Sequence, residues 1–481
     1  MPFDFQLAQQ VTRRHFLEGC QIGLASMFLG SLRPAAGSAS RPLAPKSPHH
    51  APKAKSVIYL HMAGGPSQLE LFDPKPELQM HDGEDCPQHL LNGKRFAFIK
   101  GVPQMLGTPF QFARARESGT WVSELLPKFA EVAHEAAIIR SMTTEEFNHA
   151  PAQLLLHTGS ARLGSASMGA WATYGLGSEN EDLPGFVVLV SGNKTPSAGK
   201  SLWGSGFLPS VYQGVQCRTQ GEPVLFLSNP EGMSRALRRK TLDALGDLNR
   251  LRHGRTADPD TLSRIQQYEL AYRMQVSVPE VMDISREPDS IHSMYGTEPG
   301  RVSFANNCLL ARRLVENGVR FVQLYDWGWD HHGNARRTDI RYDLPDRARD
   351  IDRPTAALIR DLKQRGLLDQ TMIIWGGEFG RTPMRENRQG DRTEYYGRDH
   401  HPHAFTMWLA GGGVRGGVDY GSTDDLGYYV ESDPVTPRDI QATLLHLLGL
   451  DPYEFHFLHQ GLKQRLIGPT DEGRVVRDLI A

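Results

Sequence analysis

The chain has 481 residues, 39% hydrophobic and 22% charged, with Gly 48 and Pro 31, the profile of a folded, turn-rich globular protein and not of a disordered or collagenous one. Lys+Arg 53 against Asp+Glu 55 leaves a formal charge of -2, with no basic excess to neutralise a phosphate backbone, which argues against nucleic acid as a partner. Cys20, Cys86, Cys217 and Cys308 form no CxxC pair, which argues against a disulfide scaffold, a zinc ribbon and a thioredoxin-type redox site.

Taken in chain order, the first feature is Thr12-Arg13-Arg14-His15-Phe16-Leu17, followed by an apolar stretch from Ile22 to Leu32 and a small-residue region from Pro34 to Ser40. This is the layout of a twin-arginine export signal over residues 1–40, so a periplasmic or extracellular location is expected. The apolar stretch is shorter than the roughly 20 residues that cross a bilayer, and no later run is longer, so no transmembrane segment is expected in the mature chain. Residues 41–55, rich in Pro, Lys and His, read as a linker. The twin-arginine route carries folded proteins, often with a metal or cofactor in place.

From Ser56 to the C-terminus, short apolar runs alternate with helical stretches, which predicts an α/β fold with a mostly parallel sheet and helices on both faces. Strands are expected at Val57 to Met62, Phe186 to Val190, Val319 to Tyr325, Thr371 to Trp375 and Phe405 to Ala410. Leu344 to Arg365 carries Ala348, Ile351, Ala356, Leu358, Ile359 and Leu362 at helical spacing and reads as a βαβ crossover. The charged stretches Ser234 to Arg252 and Asp260 to Gln275 predict long helices, taken as a helical insertion at about 232–295.

In open α/β sheets, ligands bind beyond the carboxyl ends of the strands. After the first strand, Gly64 and Gly65 allow close backbone approach, and Ser67 is either a helix cap or a nucleophile. After the strand ending at Tyr325 come Asp326, Asp330, His331 and His332, two carboxylates and two imidazoles suited to a divalent metal. After Trp375, Glu378 emerges between glycines as a ligand or base, with Arg381 placed to pair with an anion. Asp399, His400, His401 and His403 form the densest ligand-type cluster in the chain. Gly411 to Gly416 satisfies GxGxxG, but it runs into Val418 without a helix start, so a dinucleotide site is not expected.

The stretches Gly65-Pro66-Ser67 through Asp73-Pro74-Lys75-Pro76, Trp329-Asp330-His331-His332-Gly333, Glu378-Phe379-Gly380-Arg381-Thr382-Pro383 and Gly397-Arg398-Asp399-His400 resemble a family known as a domain of unknown function, number 1501, common in planctomycetes. Through it the chain resembles the alkaline phosphatase and sulfatase superfamily. The likeness to the family covers nearly everything from Ser56 onward. Thr371 to Gly380 is similar to the sulfatase strand that carries a metal-binding Asp, with Glu378 in its place, and Val435 to Leu450 resembles the segment closing the superfamily domain. Two departures stand out. Gly64 and Gly65 occupy the region where superfamily enzymes have a metal-binding Asp, and His149, in the frame His149-Ala150-Pro151-Ala152-Gln153 to Thr158-Gly159, stands where a sulfatase has its nucleophile. Some relatives in the family also have His and Asp where this chain has Gln68 and Glu70.

The resemblance and the residues together imply an exported metal-dependent hydrolase of sulfate or phosphate esters, with a sulfated polysaccharide as one candidate substrate. Asp330, His332, Glu378, Asp399 and His400 are the expected ligands of one or two divalent ions, zinc, manganese or calcium, that activate a water. Arg381 is expected to neutralise the anion, and His149 to act as base, acid or nucleophile. The choice between His331 and His332 stays open at this level. The rival reading is a non-catalytic relative whose metal is structural and which binds glycan or a partner protein.

Overall fold

The computed structural model describes residues 42–481 except 193, 219, 225–227, 257–258, 389–392 and 470–472. The expected signal, residues 1–40, lies outside the described residues. From Leu43 to Ala481 the chain forms one compact unit, and no helix among the described residues is long and apolar enough to cross a membrane.

Its centre is an eight-stranded sheet. In chain order the strands are β1 (Ser56–Ala63), β2 (Ala136–Met142), β3 (Phe186–Ser191), β4 (Val215–Cys217), β5 (Phe321–Trp327), β6 (Thr371–Gly376), β7 (Phe405–Ala410) and β8 (Val418–Tyr420). Their spatial order is β8-β2-β7-β6-β1-β5-β3-β4. Only β7 runs against the others, since it pairs antiparallel with both β2 and β6 while every other pairing is parallel. The expected strands all form, within two residues of their predicted ends. Strands β2, β4 and β8 were not foreseen; β4 and β8 are three residues long, and the pattern of β2 is broken by Arg140.

Every residue of β1 is buried, as a parallel strand covered on both faces must be. Ile58, Leu60 and Met62 enter one core with α5 (Phe304–Glu316) and α6 (Leu344–Gln364). Val57 and Tyr59 enter the other core with α1 (His149–Thr158), α2 (Met168–Leu176) and α7 (Pro437–Leu447). The period-two alternation of the strand therefore divides its side chains between the two helical layers. Helix α6 links β5 to β6, which flank β1, and is the predicted crossover. The insertion forms α3 (Arg235–Thr256) and α4 (Pro259–Met282), and Leu270, Met274 and Val278 of α4 join the first core.

The segment 43–55 differs from the expected linker: it runs along the body in backbone hydrogen bonds, with Lys46 N donating to Leu176 O, His50 N to Gly449 O and Lys53 N to Leu447 O. Its prolines donate nothing, but the residues between them still offer N–H groups, and these meet carbonyls left unpaired at the ends of α2 and α7.

Candidate metal centre

The register of the sheet brings the ends of three strands level: His61 lies beside both Tyr325 and Gly376, and Met62 beside Asp326. The loops leaving these strands, and the one leaving β2, therefore meet at one edge. Asp330 and His332 come from the loop after β5, and Glu378 from the loop after β6. His149 opens α1 after β2, and His400 comes from a two-residue strand, His400–His401, paired antiparallel with Gly380–Arg381 just before β7.

Asp330 Oδ1 is the focus. It lies 2.8 Å from His332 Nε2, 3.3 Å from His400 Nε2 and 3.4 Å from His149 Nε2. One ligand atom from each of these four residues falls within 4.8 Å of all the others. The opposite nitrogen of every ring is engaged: His149 Nδ1 with Glu378 Oε1 at 2.7 Å, His400 Nδ1 with the Phe147 carbonyl at 2.7 Å, and His332 Nδ1 with Glu386. A carbonyl or carboxylate only accepts, so each Nδ1 carries the hydrogen and donates it. Each neutral ring then presents its Nε2 lone pair to the common point.

That arrangement tests whether a cation fits. His332 Nε2 and His400 Nε2 stand 3.1 Å apart, and two lone pairs repel at that distance unless a proton or an ion lies between them. His149 Nε2 is buried, and Asp330 Oδ1, at 3.4 Å, is its charged neighbour. Three imidazole nitrogens and one carboxylate form a donor set that zinc or manganese accepts, so the residues fit a divalent ion. The site is open on one side: the side chain of Asp330 is 30% exposed and that of His149 16%.

The charges agree. Burial disfavours ionised Asp330, but the Arg381 guanidinium and the three imidazoles outweigh it and hold the carboxyl well below the usual range. Burial lowers His149, yet its hydrogen bonds to Asp330 and Glu378 prevail and raise it to about 9. Burial, aided by the Arg381 charge, lowers His400 to about 4 despite its bond to Asp330. Without an ion, His149 thus carries a second proton and is cationic, while His400 stays neutral with its Nδ1–H.

Glu378, expected as a ligand, stands one layer behind His149. Its carboxylate is fully buried and accepts from Gly64 N at 3.1 and 3.3 Å, from Gln153 Nε2 at 2.9 Å and from His149. Behind it runs an oriented polar chain: Gln323 Nε2 donates to His157 Nδ1 at 2.8 Å, His157 Nε2 faces His61 Nδ1 at 3.3 Å, and His61 Nε2 lies 3.4 Å from Glu378 Oε2. Because Gln323 fills the acceptor side of His157, the one consistent assignment has each ring pass its N–H toward Glu378.

Arg381 is buried and spends its donors on Gly65 O and Arg398 O, both at 2.9 Å, on Gly64 O and on Asp330 at 2.6 Å. Asp399 is likewise saturated, accepting from Phe98 N at 2.7 Å, Ile99 N at 3.0 Å and His400 N at 2.8 Å. With His332 and Glu386 it forms a second close group of ligand-type atoms. Ser67 stands at the N-cap of the short helix Gln68–Leu71, but its buried Oγ makes no capping bond and has no hydrogen-bond partner. Gln68 clamps the Arg381 backbone through two bonds of 2.9 Å, and Glu70 pairs with Arg398, both side chains fully buried. Of the adjacent histidines, His332 faces Asp330, while His331 Nε2 binds Asp343 at 3.1 Å.

The first-strand glycines have a structural reason. Gly64 has φ +123°, and a Cβ there would stand 2.7 Å from Asp330 N and 2.8 Å from Trp329 C. Only glycine lets the β1 loop close against the Asp330 loop. Residues missed by sequence reading are His61, Gln153, His157 and Glu386. His61 gives the weak signal of an imidazole in an otherwise apolar strand, whereas nothing in the sequence around Glu386 marks it.

A model of the family described as "Protein of unknown function (DUF1501)" matches residues 54–480. A comparison with curated proteins finds no match. Among solved structures, the chain is similar to an alkaline phosphatase variant from the Antarctic bacterium TAB5, at 12% identity over 83% of this chain and 99% of that one, with a TM-score of 0.34. It is also similar to a phosphonate monoester hydrolase from Silicibacter pomeroyi, at 13% identity over 89% and 76%, TM-score 0.36. A third is the PsFucS1 sulfatase from Pseudoalteromonas sp., at 12% identity over 88% and 73%, TM-score 0.36. These scores are too low for any residue role to pass from those proteins to this chain.

Proposed function

We propose that this chain, which belongs to the DUF1501 family, is an exported metal-dependent hydrolase of sulfate or phosphate esters. The observation that carries the reading is the convergence of three imidazole Nε2 atoms and the Asp330 carboxylate on one partly exposed point. His149, Asp330, His332 and His400 hold the ion. A divalent ion there supplies Lewis acidity, polarising an ester oxygen and acidifying a water.

The chain's own groups do the rest. Glu378, Glu386 and the Phe147 carbonyl fix the three rings by their Nδ1–H groups, the outer-shell support that sets tautomer and basicity. Arg381 holds the Asp330 carboxylate ionised and aimed inward. His149 therefore serves as a ligand in place of a nucleophile, and water is the attacking group. Asp399 and Glu378 act by positioning.

A structural ion is the second reading, favoured by the count of four protein ligands, which is the closed coordination of structural zinc. The exposed flank of Asp330 favours catalysis. The test is turnover of aryl sulfates, phosphomonoesters and phosphodiesters by purified protein reconstituted with zinc, manganese or calcium, compared with Asp330→Ala. Turnover that needs both metal and Asp330 supports the hydrolase. Stoichiometric metal with no turnover of any ester class refutes it and leaves the structural ion.

A further inference from the structure

Beside the ends of β3 and β4 lies a cavity of about 720 Å³. Lys194, Lys200 and Arg218 line it together with Gln213, Gln216 and Trp203, and its described lining contains no carboxylate. None of the three cations has an ion pair among the described residues. A larger neighbouring cavity of about 1160 Å³ shares Lys194 and is also rich in cations, but carboxylates stand in its wall. There Arg301 is paired with Glu298, Arg347 with Asp343 and Arg349 with Asp346, and Asp350 and Asp352 line the wall.

The contrast has a physical consequence. Unpaired cations occur elsewhere on this chain as well, but here three of them share one wall with no carboxylate in its described lining. Three cations in a concave wall without carboxylates give that wall a positive potential, which favours an anionic occupant. The amides of Gln213 and Gln216 between them offer both donors and acceptors, the neutral partners that hydroxyl groups need. Trp327 stands near both the cavity and the metal centre: Lys194 Nζ lies 6.0 Å from the centroid of its ring, and that centroid is 6.3 Å from that of His149.

We propose that this cavity is a subsite for the neighbouring anionic groups of a polysaccharide carrying several sulfates or phosphates, so that the substrate class is a polymeric polyanion and not an isolated monoester. The substrate half of this statement rests on the hydrolase reading, whereas the binding half does not.

The test titrates the full metal-loaded chain with dextran sulfate, phosphorylated dextran, uncharged dextran and single-stranded DNA. Each titration compares the wild type with Lys194→Glu/Lys200→Glu/Arg218→Glu, three exposed positions whose substitution is checked for folding by circular dichroism. The milder Lys194→Gln/Arg218→Gln serves if the triple variant does not fold. The expected result is that at least one anionic dextran binds ten-fold or more tightly than dextran, and that the charge variants lose ten-fold or more of that affinity. Preference for the sulfated or the phosphorylated polymer identifies the ester. Equal binding by wild type and variants, no binding by either, or DNA binding as tight as the anionic dextrans overturns the proposal. Turnover of aryl esters by the wild type is read separately: its absence with variant-sensitive polymer binding removes the hydrolase and keeps the subsite, while its presence with insensitive binding does the reverse.

Discussion

Replacing Glu386 probes the proposed metal centre without touching a proposed ligand. Its carboxylate is buried, accepts the Nδ1–H of His332 and also holds Arg388 Nε at 2.7 Å. Glu386→Gln keeps an oxygen for the imidazole but removes the charge. Hydrogen bonds to charged groups contribute about 1.5 to 3 kcal/mol against about 0.5 to 1.5 for neutral ones. The difference of about 1 to 1.5 kcal/mol corresponds to roughly ten-fold in the affinity of the ion at His332. Glu386→Ala removes the acceptor, leaves the ring free to rotate and takes the loss to the upper end of the 10- to 100-fold range typical of such outer-shell partners. The assay is competition for zinc against a chromophoric chelator at fixed pH, with circular dichroism to confirm that both variants fold. If Gln and Ala both bind zinc within about two-fold of the wild type, His332 is not a ligand held by Glu386, and the centre has been assigned wrongly.

Other consequences are as direct. Gly64→Ala puts a Cβ against the Asp330 backbone at φ +123° and should abolish metal retention, whereas Gly83→Ala, where φ is +82° with nothing within 4 Å, should retain it; elemental analysis of the two purified variants compares them. Glu70→Ala leaves the fully buried Arg398 guanidinium unpaired and should cost about 3 to 5 kcal/mol in denaturant unfolding, while Glu70→Leu/Arg398→Met should recover most of that loss; failure of the double variant to recover refutes the charge argument. Burial raises Asp326 from 3.8 to about 7, opposed by the Trp329 N–H and Arg347. The folded state therefore keeps a proton that the unfolded chain sheds, and this contribution, present below pH 3.8, is lost as pH rises through about 7. Asp326→Asn should gain stability over the wild type across that window, by at most about 4 kcal/mol, and parallel melting curves from pH 4 to 8 would show that Asp326 is not so perturbed. Metal uptake at pH 7 displaces the proton His149 holds in the ion-free cluster, so calorimetry in buffers of different ionisation enthalpy should report about one proton released per ion, and none from His149→Ala.

Much of the fold was legible along the chain because it is written in period. The apolar runs of β1, β3, β5, β6 and β7 and the amphipathic spacing of α6 reflect burial, and burial depends on which residues face the core every two or every 3.6 positions. Strands β4 and β8 are too short to show a period, and β2 conceals one behind Arg140. The segment 43–55 read as a linker because composition reports turn-forming residues but not the carbonyls they meet.

By itself the sequence determined which loops carry ligand-type side chains and that these loops leave strand ends, so Asp330, His400 and the pair His331 and His332 were marked as candidates by residue type and position. Tertiary structure decided which partners each group meets, because these lie some 230 or 300 residues away: Glu378 is filled by Gly64, Gln153 and His149, and Asp399 by Phe98 and Ile99. It also decided between His331 and His332, since a loop without period presents adjacent side chains in directions that only packing fixes. It brought in Glu386 as well, through contact alone, and set three unpaired cations in one wall, because charge balance is a property of neighbours in space.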